Sequence, residues 1–472
     1  MKRVAIVGGG LSGLAAAYQL AQEGVEFTLF EASARVGGIV ETVRRDGFVI
    51  ECGPDSWVTE KPWTRELAVE LGLESEIIGS NDRWRRTYLL DDKRLVAMPD
   101  GMRMMVPTQW APVLNSQLFS WQARLAYLRE MRRAAELKKP AWGEGEDESV
   151  ASFVRRHFGD EVTQTIAGPL LAGVFGGSID TLSVRAVMPG FVKLEREHGS
   201  LIAGLQQKQA TNSDTVFTSL KGGLEQLVHG MAERLPPGTV RMGHEVRSIK
   251  RQGDQWIVDE GRNGTAYDAL IVATPAHVSR HLLGSIHEEF DSLLAMDATS
   301  AIVIALAFLP EQAKRLRIPR GFGYLVPQRT NVRATDTDPQ LLACTFVDQK
   351  FAHRAPEGAL LLRAFFGGDT APILMHESDA SLVALAIRRL SQALGPLPKP
   401  DISLVRRWPL SLPQYAVGHL DRMAKLSELT SSFPALHLIG NAYHGVGLPD
   451  LVRQGRETAR RIARSLGVAQ ID

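Results

Sequence analysis

"RVAIVGGGLSGLAAAYQLAQEGVEFTLFEAS", residues 3–33, decides the fold. Its apolar start, alanine-rich middle and second apolar run predict a strand, a helix and a strand. Gly8, Gly10 and Gly13 have the G-x-G-x-x-G spacing, which allows a tight turn, backbone approach to a pyrophosphate and close helix–strand packing. Glu31 follows where a carboxylate accepts hydrogen bonds from a ribose. The stretch therefore predicts an α/β, Rossmann-like domain that binds a dinucleotide.

Glu31 and the residues around and after it indicate which dinucleotide cofactor the domain binds. A lone glycine motif also fits an ordinary loop, but here the strand, helix, second strand and terminal acid agree. The acid favours a cofactor with a free ribose, which means FAD or NAD rather than NADP. Arg35, Gly37 and Gly38 form an R-x-G-G turn that NAD-binding units do not need and that FAD proteins of the glutathione-reductase-like class use. We therefore predict FAD, with Arg35 within reach of a phosphate.

Two later segments extend this domain. "GFVIECGPDSW", residues 47–57, alternates like a strand and ends in Gly53-Pro54-Asp55-Ser56, which we expect to run under the flavin ring, although a plain hairpin turn fits as well. Residues 240–275 predict a strand that contains Val246, a hairpin, and a strand that ends at Thr274-Pro275 and returns to the nucleotide domain. The cofactor domain is therefore expected to be discontinuous.

The C-terminal stretch "LHLIGNAYHGVGLPDLVRQGRETARRIARSL", residues 436–466, predicts a last strand, a glycine turn and a last helix. Its glycines allow the backbone to approach a flat ring, and Pro449 suits a first helical turn. The helix N-terminus would then point at the flavin's pyrimidine edge and stabilise negative charge there by about 0.3–1 kcal/mol. We expect His444 to cap, pack or face the cofactor rim rather than act as a base.

Composition limits the class of protein. The chain has 472 residues and is 44% hydrophobic, which suggests two or three domains. Its 54 basic and 53 acidic residues argue against nucleic acid as a partner. Two cysteines, Cys52 and Cys344, give neither a disulfide framework nor a cysteine metal site, so a reducing, cytoplasmic compartment is expected. No run approaches the roughly 20 apolar residues of a spanning helix, and 301–309 fits a buried strand.

The middle of the chain predicts two further units. Residues 85–167 read as helical and basic; within them, 116–139 fits either a helix packed on its own domain, which we favour, or a membrane-surface helix. Residues 276–404 predict a sheet that covers the flavin and, with 168–214, forms a substrate domain. The remaining segments, 1–84, 215–275 and 405–472, would form the FAD-binding domain.

The substrate pocket is expected to be large, mostly apolar and fringed by basic groups. Candidates for this fringe are Arg85, Arg86, Lys193 and Arg407, although an ordinary surface charge is the favoured interpretation of each.

Taken together, these motifs resemble the protoporphyrinogen/coproporphyrinogen oxidase family of flavoproteins over nearly the whole chain. The two N-terminal segments, "GGGLSGLAAAY" and "RVGG", are shared with a wide FAD superfamily. The narrower segments are "GPDS" (53–56), "GVFGGSIDTLSVRAVMP" (173–189), "EREHGSLI" (195–202), "GFGYLVP" (321–327), "RRWPLSLPQYAVGHLDR" (406–422) and "GNAYHGVGLPD" (440–450).

The resemblance implies a set of FAD contacts. They fall on Gly8, Gly9, Gly10, Leu11, Ser12, Gly13, Glu31, Ala32, Gly38, Ile39, Gly53, Pro54, Asp55, Ser56, Val246, Trp408, Val446, Gly447 and Leu448. Two positions depart from the family pattern. Ile39 replaces a lysine of some relatives, which a backbone contact survives, and Gly199 stands where relatives often carry arginine, which leaves the local loop in doubt.

The resemblance also implies an activity: six-electron oxidation of a porphyrinogen of haem biosynthesis, either protoporphyrinogen IX or coproporphyrinogen III, with O2 reduced to H2O2. The flavin would accept the hydride, and the residues single out no general base and no metal. A flavin amine oxidase or a phytoene-desaturase-like enzyme shares the N-terminal motifs, and a non-catalytic protein like the Rab-escort proteins shares the fold. Peripheral membrane contact and a homodimer are left open.

Overall fold

Two large sheets and one cluster of helices organise the chain. The computed structural model describes residues 2–138, 146–207, 215–261, 264–327 and 339–467. Each sheet collects strands from distant parts of the sequence, so the order of the segments along the chain differs from their order in space.

The first sheet is the five-stranded sheet, which is parallel throughout. Its strands, in spatial order, are Val240–Met242, Glu26–Glu31, Arg3–Val7, Ala269–Val272 and Leu436–Leu438. The central strands are near-continuous apolar runs because parallel sheets are covered on both faces. This sheet confirms that the chain returns twice to the N-terminal strand–helix–strand unit.

Two helices at opposite ends of the sequence pack on each other beside this sheet. They are the first helix, Leu11–Gln22, and the last helix, Leu448–Ser465. A Cβ atom on Gly455 would clash with the Ser12 carbonyl oxygen, so glycine allows the two backbones to approach. Arg456 Nε donates to Gln19 Oε1 at 2.7 Å. The two ends of the chain therefore meet.

The second sheet is the seven-stranded sheet. Its strands, in spatial order, are Ile402–Pro413, Ala298–Phe308, Leu360–Phe366, Ala343–Phe346, Gly323–Leu325, Thr87–Asp91 and Arg94–Ala97. Every pair is antiparallel except Gly323–Leu325 with Thr87–Asp91. The predicted buried strand at 301–309 is confirmed, since residues 302–308 of Ala298–Phe308 are buried.

Smaller sheets connect these layers. They are the hairpins Thr42–Arg45 with Phe48–Glu51 and Met102–Arg103 with Val106–Pro107, the sheet of Trp57–Val58, Phe217–Leu220 and Ile77–Gly79, and the sheet of Ser248–Gln252, Gln255–Asp259 and Thr265–Tyr267. The strand expected before Gly53 is therefore present.

The helical unit spans residues 110–207, of which 139–145 lie outside the described residues. Its helices are Trp110–Leu114, Trp121–Arg132, Ala134–Leu137, Val150–Val162, the π-helical Thr163–Ala167, Gly168–Phe175, Val184–Val187, Pro189–His198 and Leu201–Gln207. Their apolar side chains share one core. Trp121–Arg132 buries Ala123 and Tyr127 in this core, whereas Trp121 stays 69% exposed.

Other helices cover the sheets. They are Trp63–Glu70, Glu225–Ala232, Ala276–Gly284, Glu288–Leu293, Pro310–Ala313, Val347–Lys350, Ala371–Leu374, Asp379–Leu394 and His419–Ser431, with short 3₁₀ turns at Glu74–Glu76, Asp82–Trp84 and Gly368–Thr370. Within the described ranges, no helix is both long and apolar enough to cross a membrane.

Three sequence predictions differ from this fold. Residues 85–167 do not begin as helix, because 87–97 forms a hairpin of two strands, the first of which pairs with the distant strand Gly323–Leu325. The helices of 168–207 pack with those of 110–162 rather than forming a unit with the seven-stranded sheet. Ile402–Pro413 is an edge strand of that sheet, although 405–472 was expected to belong to the FAD-binding domain.

Val246 is a fourth difference, because it lies in no strand. It stands two residues before Ser248–Gln252 in the connection between two sheets. The N–H groups of Gly243 and His244 donate to the carbonyl oxygens of Ser33 and Glu31, both at 2.9 Å. These bonds hold the connection against the end of the second strand and so replace the pairing of a ladder.

Candidate functional site

The N-terminal glycine turn, residues 8–13, has an open place, which is unfilled space beside the backbone of Gly10. Gly8 has a φ of +104°, and a Cβ atom there would lie 2.8 Å from the Ala273 carbonyl oxygen. A Cβ atom on Gly13 would clash with the Gly8 carbonyl oxygen. Gly10 is different: its φ of −64° suits any residue, and a Cβ atom would meet no described atom within 4 Å. Packing therefore requires two of the glycines, whereas Gly10 leaves room for a ligand to approach the backbone.

The first helix begins at the open place. Gly10 is its N-cap, and no side chain in the described part of the chain caps it. The first amide groups of a helix have no partner inside the helix, and the helix dipole favours an anion beside them. Leu11, Ser12 and Gly13 form this first turn. The turn therefore fits a pyrophosphate, as the glycine spacing predicts.

Glu31 is fixed beside the glycine turn. Its Oε2 accepts the Gly9 N–H at 2.7 Å, and its Oε1 accepts the Ser33 N–H at 2.8 Å, with Ala32 between them. An ionised carboxylate has about four acceptor positions, so both oxygens can still accept bonds from a ribose. The predicted ribose acid and the predicted phosphate turn thus lie together.

Arg35 is bonded to its own turn. Its Nη1 donates to the carbonyl oxygens of Val36 at 3.2 Å and Val40 at 3.1 Å, and its Nη2 donates to that of Gly38. The guanidinium therefore holds the turn in shape, and its contact with a phosphate stays a prediction. The Gly37 N–H donates to the Gly9 carbonyl oxygen at 2.7 Å, which places this turn against the first one.

The segment Gly53–Ser56 meets the same turn. A Cβ atom on Gly53 would clash with the Ile39 carbonyl oxygen, so the two backbones touch. Trp408 Nε1 donates to the Cys52 carbonyl oxygen at 2.7 Å. These contacts bring together Gly38, Ile39, the segment from Gly53 and Trp408, as the resemblance implies.

Asp55 ties this segment to the seven-stranded sheet and its neighbouring helix. Lys350 Nζ lies 2.9 and 3.0 Å from its carboxylate oxygens, and Arg363 Nη1 lies 3.3 Å away. Burial would raise the pKa of Asp55, but Lys350 and then Arg363 hold it well below its usual range. Asp55 is therefore a buried anion paired with two cations. No local pattern indicates Lys350 or Arg363 as partners, because about 300 residues separate them from Asp55.

The C-terminal turn lies across a small cavity from Ser56. The cavity measures about 140 Å³ and is lined by Ser56, Trp57, Val58, Lys61, Phe217, Gly447, Leu448, Pro449 and Asp450. Gly447 is the N-cap of the last helix, directly after Val446. Gly455, which meets Ser12, is eight residues further on, or about 12 Å along the helix axis. The pyrophosphate turn and the C-terminal turn therefore belong to one region.

Lys61 and Asp450 form an ion pair at this cavity that sequence reasoning missed. Lys61 Nζ lies 2.8 and 2.6 Å from the two Asp450 carboxylate oxygens. Asp450 sits in the first turn of the last helix, where an acid is favoured, and this position was the available signal. His444 contributes its carbonyl oxygen, which accepts a bond from Gln454 Nε2 at 3.1 Å.

The predicted basic fringe does not form a cluster of unpaired cations. Arg407 Nη1 pairs with Asp379 at 2.7 Å, and Lys193 faces Glu197 at 3.7 Å with 71% of its side chain exposed. Arg85 is exposed, and so is Arg86. These contacts support the interpretation as surface charge.

Among the described residues, no cluster of three or more His, Cys, Asp and Glu side chains could hold a metal ion. Cys52 is a buried free thiol, and burial raises its pKa to about 12, so it stays protonated.

Comparison with known proteins covers nearly the whole chain. A family model described as flavin containing amine oxidoreductase matches residues 11–463. The coproporphyrinogen III oxidase of Bacillus subtilis is 34% identical over 96% of this chain and 96% of its own. That of Staphylococcus aureus is 31% identical over 98% of this chain and 100% of its own. A crystal structure from Exiguobacterium sp. 255-15, described as a candidate protoporphyrinogen oxidase, has a TM-score of 0.84 and 30% identity, over 98% of this chain and 99% of that one.

These matches confirm the resemblance to porphyrinogen oxidases and the prediction of a flavin cofactor, FAD. The helix N-terminus at Leu11, the acid at Glu31 and the open place at Gly10 fit that cofactor. The chain belongs to the family of flavin-containing amine oxidoreductases.

Proposed function

We propose that this protein is an O2-dependent FAD oxidase that converts a porphyrinogen into the corresponding porphyrin. Coproporphyrinogen III is the leading substrate. The observation that carries this proposal is similarity along the full length to two proteins named coproporphyrinogen III oxidase. Full-length similarity includes the seven-stranded sheet and the helical unit, which are the parts outside the nucleotide-binding unit and therefore the parts that would select a substrate.

Bound FAD supplies the hydride-accepting chemistry, and O2 takes up the electrons. The chain supplies binding and orientation. The amides of Leu11, Ser12 and Gly13 hold the pyrophosphate, and Glu31 holds the ribose. The segments 53–56 and 446–448 would hold the flavin ring; Ser56 of the first segment and Gly447 and Leu448 of the second line the small cavity.

Protoporphyrinogen IX is the second candidate, favoured by the likeness to the Exiguobacterium structure. The two substrates differ in two propionates against two vinyl groups. Oxygen consumption, H2O2 release and porphyrin fluorescence should be recorded with each porphyrinogen and, as a control, with a primary amine. We expect the highest kcat/KM with coproporphyrinogen III and about three O2 consumed per porphyrin, since each H2O2 takes two of six electrons. Amine turnover without porphyrinogen turnover would contradict the proposal.

Contact with a membrane surface is part of this proposal. Trp121 is 69% exposed and Leu128 is 41% exposed on one helix of the helical unit, which carries Arg129 and Arg132 in its last turn. Exposed aromatic and aliphatic groups beside cations favour an anionic lipid surface. Trp121→Ser should weaken cosedimentation with phosphatidylglycerol vesicles. Ile373→Ser, which changes a residue 67% exposed outside that unit, is the matched control and should not. Equal sedimentation of both variants and the unchanged protein would contradict it.

A further inference from the structure

The motif "PQYAVGH", residues 413–419, lies directly against the C-terminal turn, residues 440–447. It connects the edge strand Ile402–Pro413 to the helix His419–Ser431. Tyr415 and His419 are each only 3% exposed. The motif thus places two large buried side chains directly after the edge strand of the seven-stranded sheet.

The Tyr415 hydroxyl spans the C-terminal turn. It lies 2.6 Å from the Asn441 carbonyl oxygen and 2.9 Å from the Gly445 nitrogen. A carbonyl can only accept and an amide N–H can only donate, so the hydroxyl donates to Asn441 and accepts from Gly445. Burial raises the pKa of Tyr415, so the proton stays on the hydroxyl. The Tyr415 hydroxyl oxygen therefore holds Asn441 and Gly445 of the turn at a fixed separation.

His419 adds a second support. Its ring stacks on that of Tyr415, with centroids 3.9 Å apart and an interplanar angle of 11°. Its Nε2 lies 3.0 Å from the Tyr443 carbonyl oxygen, which requires the proton to be on Nε2. Burial lowers the pKa of His419, so the ring is neutral with that single proton. The stacked pair therefore contacts the turn at 441, 443 and 445.

The C-terminal turn is also tightly packed on its other side, against Asp450. Gly445 has a φ of +105°, and a Cβ atom there would lie 2.7 Å from Asp450 Cγ. Asp450 in turn is paired with Lys61. The backbone at Gly445 is held between the Tyr415 hydroxyl and the first turn of the last helix.

We propose that Tyr415 and His419 are positioning residues that set the C-terminal turn and so determine how tightly FAD binds and at what potential it is reduced. Their effect passes through the turn, because the N-terminus of the last helix favours negative charge and its influence falls off within one turn. The proposal rests on the flavin cofactor of this family and not on which porphyrinogen is the substrate.

Tyr415→Phe in the full-length protein tests this directly, because it keeps the stacked ring and removes only the hydroxyl. We expect the dissociation constant of FAD to rise about tenfold. We also expect the midpoint potential to fall, because reduced FAD loses about threefold more affinity than oxidised FAD, which is about 14 mV for a two-electron couple. Tyr127→Phe is the matched control: that buried hydroxyl donates to the Met105 carbonyl oxygen at 3.0 Å inside the helical unit. It should change neither quantity.

A second pair of variants tests the stack. His419→Gln keeps an N–H that can donate to Tyr443, whereas His419→Ala does not, so the potential should shift less with glutamine than with alanine. If Tyr415→Phe lowers only the melting temperature, with FAD affinity and potential unchanged, the role is structural and the proposal is wrong. If Tyr415→Phe does not fold, the two His419 variants decide. The proposal is overturned if both have the same flavin midpoint potential as the unchanged protein. Unchanged protein that binds no FAD would overturn the cofactor assignment and this proposal together, whereas failure to oxidise porphyrinogens would leave it standing.

Discussion

The two glycine turns of the cofactor site are held in different ways. The N-terminal turn, residues 8–13, is fixed by backbone packing: Gly13 meets Gly8 inside the strand–helix–strand unit, and Gly8 meets Ala273 at the end of the neighbouring strand. The C-terminal turn, residues 440–447, is fixed largely by side chains of other elements, such as Tyr415 and His419. A turn of the first kind can be recognised in a short stretch of sequence, whereas one of the second kind depends on contacts that no local pattern shows.

The largest effect should come from the packed glycine of the N-terminal turn. Gly13→Ala places a methyl group against the Gly8 carbonyl oxygen, so we expect a loss of about 3 kcal/mol or more in the free energy of unfolding and no measurable FAD binding. Gly10→Ala is the matched control, because its methyl group meets no described atom of the chain within 4 Å. It should lower the free energy of unfolding by less than about 1 kcal/mol, since alanine is a poorer N-cap than glycine, and weaken FAD about tenfold, or about 1.4 kcal/mol. If Gly13→Ala and Gly10→Ala lowered the free energy of unfolding equally, backbone packing would not distinguish the two glycines of this turn.

The C-terminal turn should respond less to loss of its ion pair. Lys61→Met removes the nearer cation of Asp450 at the start of the last helix and leaves Arg453 at 4.0 Å. Since 43% of the Lys61 side chain is exposed, we expect a stability loss of only about 1 kcal/mol, together with a lower flavin potential. Lys193→Met is the control: its pair with Glu197 is longer, at 3.7 Å, and more exposed. An unchanged potential in Lys61→Met would contradict the role of this turn.

The smallest net effect should be that of pH on the stability of the unchanged protein, because two buried groups with opposite pKa shifts oppose each other. The buried part of the N-terminal strand, residues 4–7, is wholly apolar, whereas the strand before the C-terminal turn contains His437. Burial, and then the cation of Arg461, lower the pKa of His437 to about 4. In the seven-stranded region, burial raises the pKa of Asp348 to about 6, against two backbone hydrogen bonds that lower it.

The signs of these two shifts are opposite. Below an ordinary histidine pKa of about 6.5, the unfolded state takes up a proton that folded His437 excludes, so stability falls as the pH drops towards 4. Folded Asp348 keeps a proton that the unfolded state releases above about pH 4, so stability falls as the pH rises towards 6. Each slope is at most about 1.4 kcal/mol per pH unit, and the two oppose each other between pH 4 and 6.

Urea denaturation at several pH values checks this cancellation. Relative to the unchanged protein, His437→Gln should lose stability as the pH rises from about 4 to 6, and Asp348→Asn should lose stability as it falls over the same range. Parallel pH profiles for all three proteins would show that neither group titrates as the structure implies.

The part of the fold that could be predicted from sequence is the part with local signals. The apolar run at 4–7, the glycine spacing and the acid at Glu31 each lie within one short unit, and the structure places them together. The hairpin at 87–97 was missed, and the strand that attaches it to the seven-stranded sheet, Gly323–Leu325, lies far along the chain. The cations on Asp55 were missed for the same reason: Lys350 and Arg363 belong to the region of the seven-stranded sheet, and only the folded chain brings them to that carboxylate.

The contact between the first and last helices has a consequence for biosynthesis. Ser12 leaves the ribosome long before its neighbour Gly455 is translated. At about 5–20 residues per second, the nascent chain waits about 20 to 90 s for the segment that covers its first helix. The part of that helix that faces the last helix therefore stays uncovered during this time, and we expect the prosthetic group to be captured stably only after the last helix has been made.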